Sequence, residues 1–187
     1  FAMDHAHAMS KRRREIPDHL EQDSPLGVQA RLAFGQDLYD LNVQQYCCAG
    51  LNFGYFYDQS PIMVYDDEAA PDYSMGSFTA STVPGCRTPH FWLEEGHSLY
   101  DALGPAYTLL CLKTEFNADV KALQDVAAKA NMPLKILDVS GHQDIPLEYR
   151  HHYALVRADA HTVWRGDRVT AENAKQIVAK LCGYSPA

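Results

Sequence analysis

No stretch of this 187-residue sequence approaches the roughly 20 consecutive apolar residues needed to cross a bilayer. Its first residues lack the basic segment and apolar run of a secretory leader. A cytoplasmic location is therefore expected. An excess of basic charge is missing too: 16 Lys and Arg stand against 24 Asp and Glu, for a net charge of -8. This argues against a general nucleic-acid binder, whose affinity comes largely from neutralising phosphates. It argues equally against docking on an anionic membrane surface. The sequence contains no Cys-x-x-Cys, no G-x-G-x-x-G after a strand pattern, no phosphate-binding glycine loop, no nucleophile elbow and no H-E-x-x-H. The five cysteines (Cys47, Cys48, Cys86, Cys111 and Cys182) are odd in number and suit reduced thiols better than a disulfide framework.

What is present describes a globular chain. Nearly half the residues are hydrophobic, enough for a real core. Residues Met3 to Ile16 form an expected helix ended by Pro17, which has no amide donor. The run Lys11 to Arg14 is read as a solvated face, or as a dock for an acidic neighbour or a cofactor phosphate. His5 and His7 would diverge on a helix and so not share a metal. Ser24 and Pro25 have the order of an N-cap followed by the first helical residue, opening a helix to about Leu41. Between Gln44 and Tyr65, Leu51, Phe53, Tyr55 and Tyr57 alternate with other residues, a strand pattern. Residues 66–85 are rich in proline, glycine, serine and threonine and read as a linker.

Beyond the linker the pattern becomes regular. Strands are expected at Phe91 to Leu93, Tyr107 to Leu112 and Leu134 to Val139, with a helix from an Asn117 cap to about Ala130. Tyr153 to Arg157 and His161 to Trp164 should form a hairpin across Ala158-Asp159-Ala160. Thr170 should cap a last helix whose Ala174, Ile177, Val178 and Leu181 face inward, with Gly183 as its stop. The order strand, helix, strand, hairpin, helix predicts an α/β domain of thioredoxin-like type over residues 86–187. A strand-helix-strand unit implies a parallel pair with a right-handed crossover.

A thioredoxin-like redox enzyme needs its attacking thiol at the start of the first helix, where the helix dipole lowers the pKa. The segment from Lys113 to Asp119 has no cysteine, and Cys111 belongs to the apolar strand before it. A disulfide-exchange role is therefore disfavoured. The heptad Pro84-Gly85-Cys86-Arg87-Thr88-Pro89-His90 is a stiff turn carrying a cation and an imidazole. Arg87, Pro89 and His90 are read as fixing the way into the second domain, or as touching a ligand directly.

Several segments together resemble one family. These are the heptad with Phe91-Trp92-Leu93, then Ser98-Leu99-Tyr100-Asp101-Ala102-Leu103-Gly104-Pro105, and Pro133-Leu134-Lys135-Ile136-Leu137-Asp138. The hairpin Tyr153-Ala154-Leu155-Val156-Arg157-Ala158-Asp159 with His161-Thr162-Val163-Trp164-Arg165-Gly166 continues them, with Ala158 where proline is common. Upstream, Leu51 to Pro61 is similar to the glycine-tyrosine-x-tyrosine strand that ends a substrate domain. The sequence thus resembles the C-terminal region of FAD-dependent aromatic hydroxylases.

The resemblance implies a parent enzyme that binds FAD, reduces it with NADH or NADPH, and transfers one atom of molecular oxygen to an electron-rich ring. It implies residues 1–65 as the remnant of a substrate-binding domain, a 66–85 linker and the thioredoxin-like domain. The flavin fingerprint is absent from this chain, so no catalytic or cofactor-binding residue is carried over, and no cofactor is expected on the chain itself. Starting at Phe1, it is expected to be a truncated or proteolytic piece, or a separately encoded partner of a split enzyme. Stability, oligomerisation or completion of that enzyme would be its role. A stand-alone interaction module is the alternative. Expected partners are a second copy or a flavin-domain polypeptide. Tyr46, Tyr55 and Tyr57 are the candidate contact residues, lining either a substrate cavity or an interface.

Overall fold

The computed structural model describes residues 2–113 and 118–184, with only the backbone at Gln44. Its first part is helical. Helix α1 (Ala2–Arg14) ends three residues before Pro17, and α2 (Pro25–Tyr46) packs against it. As the sequence predicts, Ser24 caps α2: its hydroxyl accepts the Gly27 amide at 3.1 Å. The basic run of α1 is only partly solvated, because Arg12 pairs with Glu15 and with Asp37 of α2 at 3.2 and 3.4 Å.

The expected strand between Gln44 and Tyr65 does not form. Helix α2 continues to Tyr46, and a one-turn helix α3 (Ala49–Phe53) follows. Tyr55 and Tyr57 lie outside any described strand, and a single-residue bridge joins Phe56 between them to Cys86. Alternation specifies a strand only where a neighbouring strand completes its ladder, and none of the described strands runs beside this segment. Gly50 lets the following loop close directly onto this helical turn, since a Cβ there would sit 1.6 Å from the Ser74 carbonyl oxygen. The loop wraps α3 that closely, and the Leu51 amide donates to the Met75 carbonyl.

A two-stranded ribbon, β1 (Trp92–Glu94) and β2 (His97–Ser98), leads into the main sheet. That sheet comprises β3 (Tyr107–Cys111), β4 (Leu134–Asp138), β5 (Tyr153–Arg157) and β6 (Thr162–Gly166), in the order β4-β3-β5-β6. Strands β3 and β4 run parallel across α4 (Ala118–Lys129), while β5 and β6 add an antiparallel hairpin. The Asn117 cap expected for α4 lies outside the described residues. Helix α5 (Ala171–Leu181) closes the chain with a full capping box: the Thr170 hydroxyl accepts the Asn173 amide, and the Asn173 side chain accepts the Thr170 amide. Gly183 turns the chain away with φ +77°.

Both faces of the sheet are covered, so β3 is buried along nearly its whole length. On one face Leu109, Cys111 and Leu155 meet Val120, Leu123 and Ala127 of α4 and Ala174, Ile177, Val178 and Leu181 of α5. On the other, Leu110, Leu112 and Val156 meet Phe91, Leu99, Val139 and Tyr149. Each such Val, Leu, Ile or Phe side chain contributes about 1.5–3 kcal/mol by leaving water. Burial also pushes the Cys111 thiol up to about 11, with the nearby Asp138 charge adding to it.

The segment 66–85 carries no regular element, and the chain is fixed at both its ends. Met63 is fully buried, and the Val64 amide donates to the Val163 carbonyl at 2.9 Å. At the far end the Gly85 amide donates to the Thr162 carbonyl at 2.8 Å. Gly85 has φ +103°, and a Cβ there would lie 2.6 Å from both the Phe56 ring and the Tyr57 carbonyl oxygen.

Candidate functional site

The upstream segment and the β5–β6 hairpin meet in a cluster of rings and charges. Asp159, at the tip of the hairpin, lies at its centre. Its carboxylate accepts the Tyr57 hydroxyl at 3.1 Å and the Arg157 Nε–H at 3.0 Å, with a second contact from the Arg157 terminal nitrogen. Arg157 also lies over the Tyr57 ring, 4.8 Å from its centroid. Burial pushes the Asp159 carboxyl up, but Arg157, His161 and Tyr57 outweigh it and hold the group at about 2. Burial, reinforced by Asp159, moves the Tyr57 phenol in the other direction, above its ordinary value.

His161 completes the cluster, and sequence reasoning missed it, because it reads only as a hairpin position. Its ring is buried, edge-on to Tyr57 at 4.8 Å and to Tyr55 at 6.2 Å. Nδ1 sits 3.0 Å from the Asp159 carbonyl oxygen, a contact that makes it the protonated nitrogen. Nε2 has no hydrogen-bond partner among the described residues. With Tyr57 held protonated and Nδ1 tied to a carbonyl, the cluster clasps two chain segments and does not form a nucleophile–base pair.

Of the candidate tyrosines, the structure brings Tyr55 and Tyr57 together, edge to face at 5.0 Å. Tyr46 sits apart at the end of α2 and is 82% exposed. Tyr55 faces an open groove of about 330 Å³ with Leu51, Phe56, Pro71 and Tyr73.

The residues of the heptad separate in space. The Arg87 backbone bridges to His161, and its guanidinium lies 4.9 Å from the Tyr100 ring centroid and 5.8 Å from that of Phe53. Pro89 presents its carbonyl to the buried Tyr149 hydroxyl at 2.6 Å. His90 bonds the Ser98 hydroxyl through Nε2 at 3.0 Å and packs edge-on against Trp92 and Tyr100. Among the described residues no group of three or more His, Cys, Asp or Glu side chains is placed to hold a metal. No described helix is long and apolar enough to cross a membrane.

Residues 81–185, more than half of the chain, match the family model of the aromatic-ring hydroxylase C-terminal region. The chain belongs to this family. Among curated relatives, the chain is 28% identical over 141 residues to the FAD-dependent monooxygenase apdD of Emericella nidulans. That match covers 72% of the chain and 23% of the relative. It is also 28% identical over 184 residues to phenol 2-monooxygenase of Pseudomonas sp. (strain EST1001), covering 87% of the chain and 29% of the relative. Among solved structures it resembles RebC-10x, studied native and with K252c bound, at 29% identity and a TM-score of 0.80. That likeness takes in 98% of the chain and 34% of RebC-10x. The chain thus spans about a quarter of the two curated relatives and a third of RebC-10x.

Proposed function

We propose that the chain is the C-terminal portion of an FAD-dependent aromatic-ring monooxygenase, itself non-catalytic, contributing stability, subunit contacts or completion of a split enzyme. The observation that carries this reading is the RebC-10x likeness, which extends over the helical first part as well as the sheet. The name of the apdD relative supports FAD as the parent's cofactor; NADH or NADPH as its reductant belongs to the proposal.

Among the described residues no capped helix start offers the free amides that FAD needs. A dinucleotide needs free amides at a helix start behind a glycine-rich turn. Helices α2 and α5 already have amides bound to the Ser24 and Thr170 hydroxyls. The flavin is therefore assigned to the rest of the parent.

The sheet order β4-β3-β5-β6, with a parallel pair and an antiparallel hairpin, supports a thioredoxin-like domain over residues 86–187. Residues 1–65 are assigned to the end of a substrate domain and 66–85 to the connection. The buried, high-pKa Cys111 supports a domain without thiol chemistry.

Subunit contact is favoured by α2. Leu32, Tyr39 and Tyr46 are 71%, 63% and 82% exposed. Such a face suits a second copy or a flavin-domain polypeptide.

The test is biochemical. Purified alone, the chain should lack flavin absorbance and NAD(P)H oxidation. Joined to, or mixed with, the polypeptide encoded by an upstream flavin-domain reading frame, it should support both. Flavin retained by the isolated chain with substrate-dependent NAD(P)H oxidation would refute the proposal.

A further inference from the structure

Arg87 differs from the other arginines packed against the sheet. Arg157 holds Asp159, and Arg165 holds Asp66 and Glu68. The half-buried guanidinium of Arg87 forms no hydrogen bond or ion pair with any described residue. It is nonetheless fixed in place. Its backbone bridges to His161, and its charge lies against the rings of Tyr100 and Phe53.

Those rings are themselves held. The Tyr100 hydroxyl donates to the Thr88 carbonyl at 2.6 Å, and Phe53 packs edge-on against Phe78 at 6.1 Å. A guanidinium presents five N–H donors in a planar fork. Ring faces attract its charge but accept few of those hydrogens, so the fork retains unused donors.

The recess that Arg87 lines has free space of about 20 Å³. That is the scale of one or two waters, which suits a carboxylate head and not the ring or chain that bears it. Asp72 shares the recess without pairing with Arg87. The Ser74, Ser77 and Thr79 side of the wall is braced by the close approach of α3 at Gly50.

We propose that Arg87, stacked between Tyr100 and Phe53, is a carboxylate-binding site. The carboxylate belongs either to a free aromatic acid or to an acidic side chain of a protein segment packed on this face. The site does not depend on the flavin assignment above, and its test involves no flavin.

The probes are benzoate, its neutral counterpart benzamide, and N-acetylglutamate α-amide, titrated into the ¹⁵N-labelled chain while the arginine Nε–H resonances are followed. Benzoate or the glutamate derivative should shift the Arg87 signal saturably, with Kd on the order of 1 mM. Benzamide should leave it unmoved.

Benzoate binding about tenfold tighter than the glutamate derivative identifies a free aromatic acid, and equal or weaker binding identifies a protein side chain. In Arg87→Lys the charge remains but the fork is lost, and affinity should fall about tenfold. Arg87→Met should abolish the response. Asp72→Asn should tighten binding about twofold by removing a competing negative charge. Because Asp72 is exposed, that variant remains informative if an Arg87 variant fails to fold. An unmoved Arg87 resonance with both carboxylates at about 50 mM overturns the proposal. So does equal binding of benzamide, or weaker binding in Asp72→Asn.

Discussion

Arg165 Nε donates to an Asp66 carboxylate oxygen at 2.6 Å across 99 residues of sequence, linking the penultimate residue of β6 to the start of the connecting segment. The same guanidinium reaches Glu68 at 2.7 Å and the Thr82 hydroxyl at 3.0 Å, and its side chain is only 3% exposed.

Replacing Asp66 with alanine leaves Arg165 buried with Glu68 as its remaining carboxylate. The expected loss is about 3 kcal/mol, the range for breaking a buried pair on one side, reduced to the extent that Glu68 compensates. Urea unfolding should report it as a lower midpoint at unchanged slope. Glu68→Ala, at a more exposed carboxylate, should cost less.

Asp159 supplies the pH dependence. Its folded pKa of about 2 lies below the ordinary 3.8. Its contribution is therefore fully present above pH 4 and is lost as pH falls through about 2. Thermal melts between pH 5 and pH 2, windows set by those two values, should slope downward in the wild type. The slope should be shallower in Asp159→Asn, and equal slopes would exclude Asp159 as its source.

Two small residues at the junction should respond with opposite signs. Ala160 adopts φ +61° at the hairpin tip, a conformation costing a side chain roughly 1–2 kcal/mol. Ala160→Gly should raise stability by about 0.5–1 kcal/mol once the greater flexibility of unfolded glycine is deducted. Gly85→Ala should do the reverse, at a cost above about 2 kcal/mol, because its Cβ would strike the Phe56 ring and the Tyr57 carbonyl. Calorimetry on the two variants reads both signs.

Cys47 is exposed while Cys111 is buried with a pKa near 11. Pulse alkylation near neutral pH followed by peptide mass analysis should modify Cys47 within minutes and Cys111 only after denaturant is added. Early labelling of Cys111 would place it outside the core described above.

The second half of the fold was legible because its local signals agree with its packing. Thr170 caps α5, Ala174, Ile177, Val178 and Leu181 recur at helical spacing and are buried, and the hairpin turns where Asp159 was expected. The first half was harder to read. Leu51, Phe53, Tyr55 and Tyr57 carry a strand's alternation, yet Gly50 packs a helical turn onto the Ser74 carbonyl. Alternation records which side chains avoid water and cannot say whether a second strand will be there. For the candidate site, Tyr55, Tyr57 and Arg87 were visible as aromatic and cationic residues in unusual surroundings. His161 and the Arg165 links were not, since their partners come from distant parts of the chain and no local periodicity announces them.

The anchoring of residues 66–85 at both ends has a mechanical consequence. A protease cut between Glu68 and Ser81 would sever the backbone but leave the Val64–Val163, Asp66–Arg165 and Tyr57–Gly85 contacts on either side of the nick. The two pieces should then migrate together in a native gel and part only in denaturant, so an intact mass on gel filtration says nothing about an intact peptide chain there.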